Sequence, residues 1–138
     1  MITQKEINDI TYEIIGCAID VHKELGPGLL ESIYEKCLTH LLLKNGLKVS
    51  QQQKVPIHFQ GLELDCDLRF DLLVENLIVV ELKTVETLLP VHEAQLLTYL
   101  KLLEKPKGVL INFNCVNIFK EGQKTFVTKQ FKELPKGY

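Results

Sequence analysis

The chain is expected to form an α/β fold, an α+β mixed sheet with helices packed on it. Two amphipathic helical patterns open the sequence, and three strand-like runs then follow with no helix between them. A further helical stretch precedes one short, wholly apolar run. The order α-α-β-β-β-α-β, with a closing strand at Thr125–Thr128, lacks the strict alternation of a doubly wound sheet. A length of 138 residues suits one domain spanning residues 1–138. A domain of this size buries about two thirds of its unfolded surface, enough to fold without a disulfide or a metal.

Each element has its own signal. From Thr3 to about Glu24, Ile7, Ile10, Ile14, Ala18 and Val21 recur at spacings of three and four, the period of an amphipathic helix. Gly26-Pro27-Gly28 ends it. A second helix is expected from about Leu29 to Asn45, with Leu30, Ile33, Tyr34, Cys37, Leu38, Leu41 and Leu42 on its apolar side and Gly46 as terminator. Lys48 to Phe59 turns to alternation, and Pro56 marks an edge strand or a bulge. Leu62 to Val74 alternates again. After a reversal at Glu75-Asn76, Leu77 to Lys83 reads as a mostly buried strand. Pro90 precedes a helix from Val91 to Glu104 with Ala94, Leu97, Leu100 and Leu103 as its apolar face, and Gly108 to Phe113 forms a buried strand.

Composition narrows the class. Hydrophobic residues at 46% and charged residues at 25% are globular values and exclude a disordered chain. No apolar run approaches the ~20 residues of a membrane span. The N-terminal stretch lacks the apolar core of a secretory signal, so a cytoplasmic location and no membrane association are expected. The four cysteines, at 17, 37, 66 and 115, show no C-x-x-C spacing and read as small hydrophobes. The net charge of −2 conceals an asymmetry: residues 1–100 carry 8 Lys or Arg against 15 Asp or Glu, and residues 101–138 carry 8 Lys against 3 Glu. The basic quarter is either a phosphate-facing edge or a solvated lysine-rich tail.

Charge interrupts the sheet at one place. Ile78-Val79-Val80 is core material, yet Glu81 and Lys83 follow at once. Alternate residues of a strand share a face, so Glu81 and Lys83 project together and Leu82 projects oppositely. If residues on the two neighbouring strands pair so that their numbers sum to 152, Asp71 faces Glu81. A strict two-residue turn would give 151 and put them on opposite faces, so the pairing demands a bulge or a three-residue connection. Facing carboxylates repel unless neutralised, and a hard Mg²⁺ or Mn²⁺ ion would do so. Lys83 could then stabilise charge at a phosphate. The alternative is an ordinary salt bridge from Lys83 to Asp71 or Glu81.

Other polar residues fall at suggestive spacings. Glu31 and Tyr34 share one side of the second helix, although an acid in a first helical turn is also what the helix dipole favours. Gln95 and Tyr99, four apart, could contact substrate or hold the lysine; a half-exposed polar stripe is the other reading. His22 is a candidate metal ligand, though a lone helical histidine commonly has no such role.

Gly28-x-x-Glu31-x-x-Tyr34 resembles the signature of the GxxExxY proteins, and the context His22-Lys-Glu-Leu-Gly-Pro-Gly-Leu-Leu-Glu31 is similar to theirs. The similarity continues through Phe70-Asp71, Glu81-Leu-Lys83, Gln95-Leu-Leu-Thr-Tyr99 and Leu110-Ile-Asn-Phe113, over roughly residues 5–128. That family is assigned to the PD-(D/E)XK nuclease superfamily. The resemblance implies a restriction-endonuclease-like αβββαβ core with an extra N-terminal helix. It implies that Asp71 and Glu81 bind Mg²⁺ or Mn²⁺, assisted by Glu31 and the Leu82 carbonyl, that Lys83 is catalytic, and that Gln95 and Tyr99 form a helical Q-x-x-x-Y element. Tyr34 would touch substrate or the residues behind the metal. His22 matches a position often held by histidine. The expected activity is hydrolysis of nucleic-acid phosphodiester bonds, DNA before RNA. A catalytically silent binding or assembly module, a homodimer among its forms, is the competing function.

Overall fold

The computed structural model describes residues 1–138. Helix α1 spans Gln4–Leu25 and α2 spans Glu31–Lys44. Short strands β1 (Val49–Gln51), β2 (Ile57–Phe59), β3 (Leu62–Leu64) and β4 (Leu72–Val74) follow, then the long strand β5 (Ile78–Lys83). Helix α3 (Pro90–Leu103) leads to β6 (Lys107–Asn112), a π-helical turn (Ile118–Gly122), β7 (Gln123–Val127) and a single-turn helix α4 (Lys129–Lys132). Five strands form one mixed sheet in the order β1-β4-β5-β6-β7; β5 and β6 run parallel and their other neighbours antiparallel. This is the restriction-endonuclease-like arrangement with an added N-terminal helix. No helix is long and apolar enough to cross a membrane.

The sheet separates two cores, and alternation along its strands explains why. Leu72, Val74, Ile78, Val80 and Leu82 point to one side, where Ile7, Ile14, Ala18 and Val21 of α1 and Tyr34, Leu38 and Leu42 of α2 cover them. Leu73, Val79 and Leu110 point to the other, against Leu96, Tyr99 and Leu100 of α3. Gly108 lets α3 approach closely: a Cβ there would lie 3.0 Å from side-chain carbons of Leu96 and Leu100. A Lys124–Glu93 ion pair of 2.9 Å also ties β7 to that helix.

Three expectations are corrected. On α3, Ala94 and Leu97 face solvent, and the buried stripe is Leu96, Tyr99 and Leu100. The helix is leucine-rich on more than one side, so periodicity alone does not select the face that meets the sheet. On α2, Leu30 is 70% exposed and lies outside the core. The alternating run Leu62–Val74 is not one strand: β2 and β3 form a separate hairpin that leaves Phe59, Leu62 and Leu64 exposed, and only β4 enters the sheet. Alternation reports that residues share a face, not that anything covers it. The lysine-rich C-terminus is also more than a solvated tail. The carbonyls of Pro135 and Lys136 accept from the backbone N–H groups of Gln4 and Lys5, at 2.8 and 3.0 Å, and so satisfy donors at the start of α1.

The connection from α1 to α2 is held by Tyr34. Its ring stacks on Phe113 with centroids 4.3 Å apart, and its hydroxyl donates to the Gly26 carbonyl while accepting from the Leu29 N–H. Gly28 in that loop has φ +97°, open to glycine and strained for other residues. Tyr34→Phe is therefore expected to cost about 1–2 kcal/mol, read as a lower urea midpoint with an unchanged slope. An unaltered midpoint would show that the hydroxyl does not secure the loop.

Candidate active site at the end of the central strand

The decisive geometry is the β4–β5 reversal. Val74 pairs with Ile78, Leu73 with Val79 and Leu72 with Val80, a register in which paired numbers sum to 152. Three residues make the connection. Glu75 and Asn76 both take left-handed conformations, φ +53° and +57°, and the Leu77 N–H closes on the Val74 carbonyl at 3.0 Å. Glu75 is secured there by Lys48, whose backbone N–H donates to its carboxylate at 2.7 Å. One step beyond the ladder, Asp71 meets Glu81. The Asp71 N–H donates to Glu81 Oε1, and the Leu82 N–H donates to Asp71 Oδ2, both at 2.8 Å. Each acid is thus aimed by the backbone of the opposite strand.

Burial makes this pair unusual. Glu81 is only 4% exposed, and its pKa is pushed up to about 8, first by burial and then by the charge of Asp71. The Asp71 N–H and Lys83 oppose that rise without cancelling it. Lys83 makes no direct ion pair with either acid, so the ordinary salt-bridge alternative is not formed. Tyr99, projecting from α3 onto the same face, is 3% exposed; its pKa is pushed up to about 12 by burial and by the charges of Glu81 and Asp71. Its hydroxyl therefore keeps its proton in the neighbourhood of the two carboxylates.

Glu31 reaches this end of the sheet from the first turn of α2. Burial raises its pKa above the usual carboxylate range, Lys83 lowers it, and Asp71 and Glu35 raise it again. No three His, Cys, Asp or Glu side chains converge as a metal cage. Glu31 accordingly stands beside the Asp71–Glu81 pair rather than completing it. Gln95 is exposed one turn before Tyr99 on α3. Two candidates lie apart from the acids. His22 places its Nε2 2.8 Å from the Cys115 carbonyl oxygen, and Tyr34 is fully buried with its hydroxyl committed to the α1–α2 loop. Tyr34 supports the loop that carries Glu31 and offers no surface to a substrate.

Four residues join the site that the sequence did not single out. His92 stands near Glu31, lowering its pKa, with Nδ1 accepting from the Leu89 N–H at 3.0 Å. Glu35 lies four residues after Glu31 on one helical side, and Gln52 donates to it. Asn112 pairs with Lys83 across β5–β6 and is buried. Its Oδ1 accepts from the Val85 N–H at 3.1 Å and its Nδ2 donates to the Val85 carbonyl at 2.9 Å, which fixes the chain just after the lysine. Helical spacing could have flagged Glu35 and His92, and Asn112 lies in the Leu110-Ile-Asn-Phe113 stretch that carries the resemblance; Gln52 carries no local signal.

The donor chemistry fits a hard divalent cation. Asp71 and Glu81 supply anionic oxygens, Glu81 Oε2 has no hydrogen-bond partner, and no cationic side chain forms an ion pair with either acid. The sequence model of the PD-(D/E)XK nuclease superfamily matches residues 8–126, which include all of these residues. Neither curated proteins nor solved structures give a significant match.

Proposed function

This chain belongs to the PD-(D/E)XK nuclease superfamily, and from that premise we propose that it is a divalent-metal-dependent phosphodiester hydrolase of the GxxExxY type acting on DNA. The observation that carries the reading is the apposition of Asp71 and Glu81 across β4–β5, with Lys83 on the same face. Mg²⁺ or Mn²⁺ held by the two carboxylates, and by the Leu82 carbonyl, would supply Lewis-acid activation of the scissile phosphate and of water.

The chain's own residues divide the remaining work. Lys83, free of ion pairs, presents its ammonium to the phosphate oxygens as negative charge grows there in the transition state. Tyr99 donates from the α3 side, and Gln95 one turn earlier offers its amide to substrate. Glu31 would hold water beside the two carboxylates from the α2 side. Burial and the Asp71 charge raise the Glu81 pKa, so a bound cation would compete with its proton.

The test is direct. Purified chain incubated with double- and single-stranded DNA is expected to cleave it with Mg²⁺ or Mn²⁺ and to stop when EDTA is added. Asp71→Ala should abolish cleavage in a folded protein; full activity in that variant would end the proposal. A folded wild-type chain that binds neither Mn²⁺ nor DNA would instead point to the assembly-module function, which the acidic balance of residues 1–100 favours.

A further inference from the structure

We propose that Gln52 is a positioning residue that aims the Asp71 carboxylate, and that its strained backbone exists for this purpose. The inference rests on the reading of Asp71 as a metal ligand. Gln52 has φ +50°, a conformation that side chains other than glycine and asparagine seldom adopt. The other non-glycine residues with positive φ are Gln60, Glu75, Asn76 and Glu104. These sit in hairpin reversals or at the end of α3, where such a conformation is ordinary turn geometry. Gln52 sits at a bend one residue past the end of β1, between that strand and the Lys54–Arg69 bridge.

Pairing does not account for the strain. Gln51 pairs with Leu72 before Gln52, and Lys54 bridges Arg69 after it, with equal numbers of residues between the two pairs on both segments. No inserted residue has to be accommodated, so no bulge is being formed. What the positive φ accomplishes is side-chain direction. Gln52 Nε2 donates to Asp71 Oδ1 at 3.0 Å and to Glu35 Oε1 at 2.7 Å, placing one neutral amide between two carboxylates. Its backbone is held from both sides: the Gln52 N–H donates to the Asp71 carbonyl at 3.0 Å, and Arg69 Nη1 donates to the Gln52 carbonyl at 2.9 Å.

The consequence for Asp71 is orientation in a plane. Leu82 N–H fixes Oδ2 and Gln52 fixes Oδ1, so the carboxylate cannot rotate away from Glu81. A neutral donor suits this task, because it orients the acid without adding a positive charge that would compete with a cation. Strain held in place by surrounding contacts at a functional site is a recognised means of preorganisation.

Two variants of the full chain separate the amide's role from a merely structural one. Gln52→Gly removes the amide and relieves the backbone; Gln52→Ala removes the amide and keeps the strain. Both are expected to weaken Mn²⁺ binding, measured by calorimetry with the metal alone, by roughly tenfold. Both should also speed hydrogen exchange of the Leu82 amide in metal-free protein, because its acceptor is no longer held. Only Gln52→Gly should melt at or above the wild-type temperature. Unchanged Leu82 exchange together with wild-type Mn²⁺ affinity in both variants would overturn the assignment. Faster Leu82 exchange in a chain whose wild type takes up no Mn²⁺ would keep Gln52 as the residue that aims Asp71 and would instead remove the metal reading.

Discussion

Glu81→Gln is expected to remove cleavage by at least ~10²-fold while making the metal-free protein more stable at alkaline pH. The sign follows from linkage. The Glu81 carboxyl titrates near 8 in the fold against an ordinary value of 4.5. Below 4.5 both folded and unfolded chains carry the proton and the contribution to stability is fully present. As pH rises from there through about 8, the unfolded chain has released its proton while the folded chain retains it, and stability falls. The whole interval is worth a few kcal/mol, since each pH unit corresponds to about 1.4 kcal/mol. Glutamine cannot ionise and escapes this loss. Wild type and variant should therefore melt together near pH 5 and diverge by roughly 5–10 °C at pH 8.5 without metal. Millimolar Mg²⁺ should then raise the wild-type melting temperature at pH 8.5 and leave the variant's unchanged. Melting curves separated by the same amount at both pH values would show that Glu81 does not titrate as its burial demands.

Lys83→Met should lower kcat by about 10³-fold with KM and Mn²⁺ affinity within a few-fold of wild type. The expectation comes from what Lys83 lacks. With no ion pair to Asp71, Glu81 or Glu31, its removal strands no buried partner, so melting should shift by no more than about 2 °C. Its positive charge near Glu81 and Glu31 opposes their raised pKa values, so removing it should push both higher still. The pH below which protons displace the metal would then move higher. A variant that cleaved at the wild-type rate would deny the lysine any part in transition-state charge. One that failed to fold would show it to be structural; its partial exposure and missing ion pairs argue against that outcome.

The two acids illustrate how far sequence reasoning reaches. Glu81 and Lys83 were visible as a pair on one face because strand geometry fixes alternate residues regardless of context. Asp71 could be placed opposite Glu81 only on a condition, namely a three-residue reversal. The reversal has that form because Glu75 and Asn76 both occupy left-handed backbone, with Glu75 secured by Lys48, a residue 27 positions away. His22 shows the opposite limit. Its residue type made it a candidate ligand, but packing of α1 against the π-helical turn region delivers its ring to the Cys115 carbonyl.

Local chemistry in the chain settled the helices, the buried strands β5 and β6, and the intrusion of charge at the end of β5, since periodicity, capping and alternation act over a few residues. Packing alone settled which stripe of α3 meets the sheet, that β2 and β3 leave it, and that Gln52 and Asn112 stand behind Asp71 and Lys83. Those outcomes depend on distant partners competing for the same surfaces, and a short stretch of sequence holds no record of which partner wins.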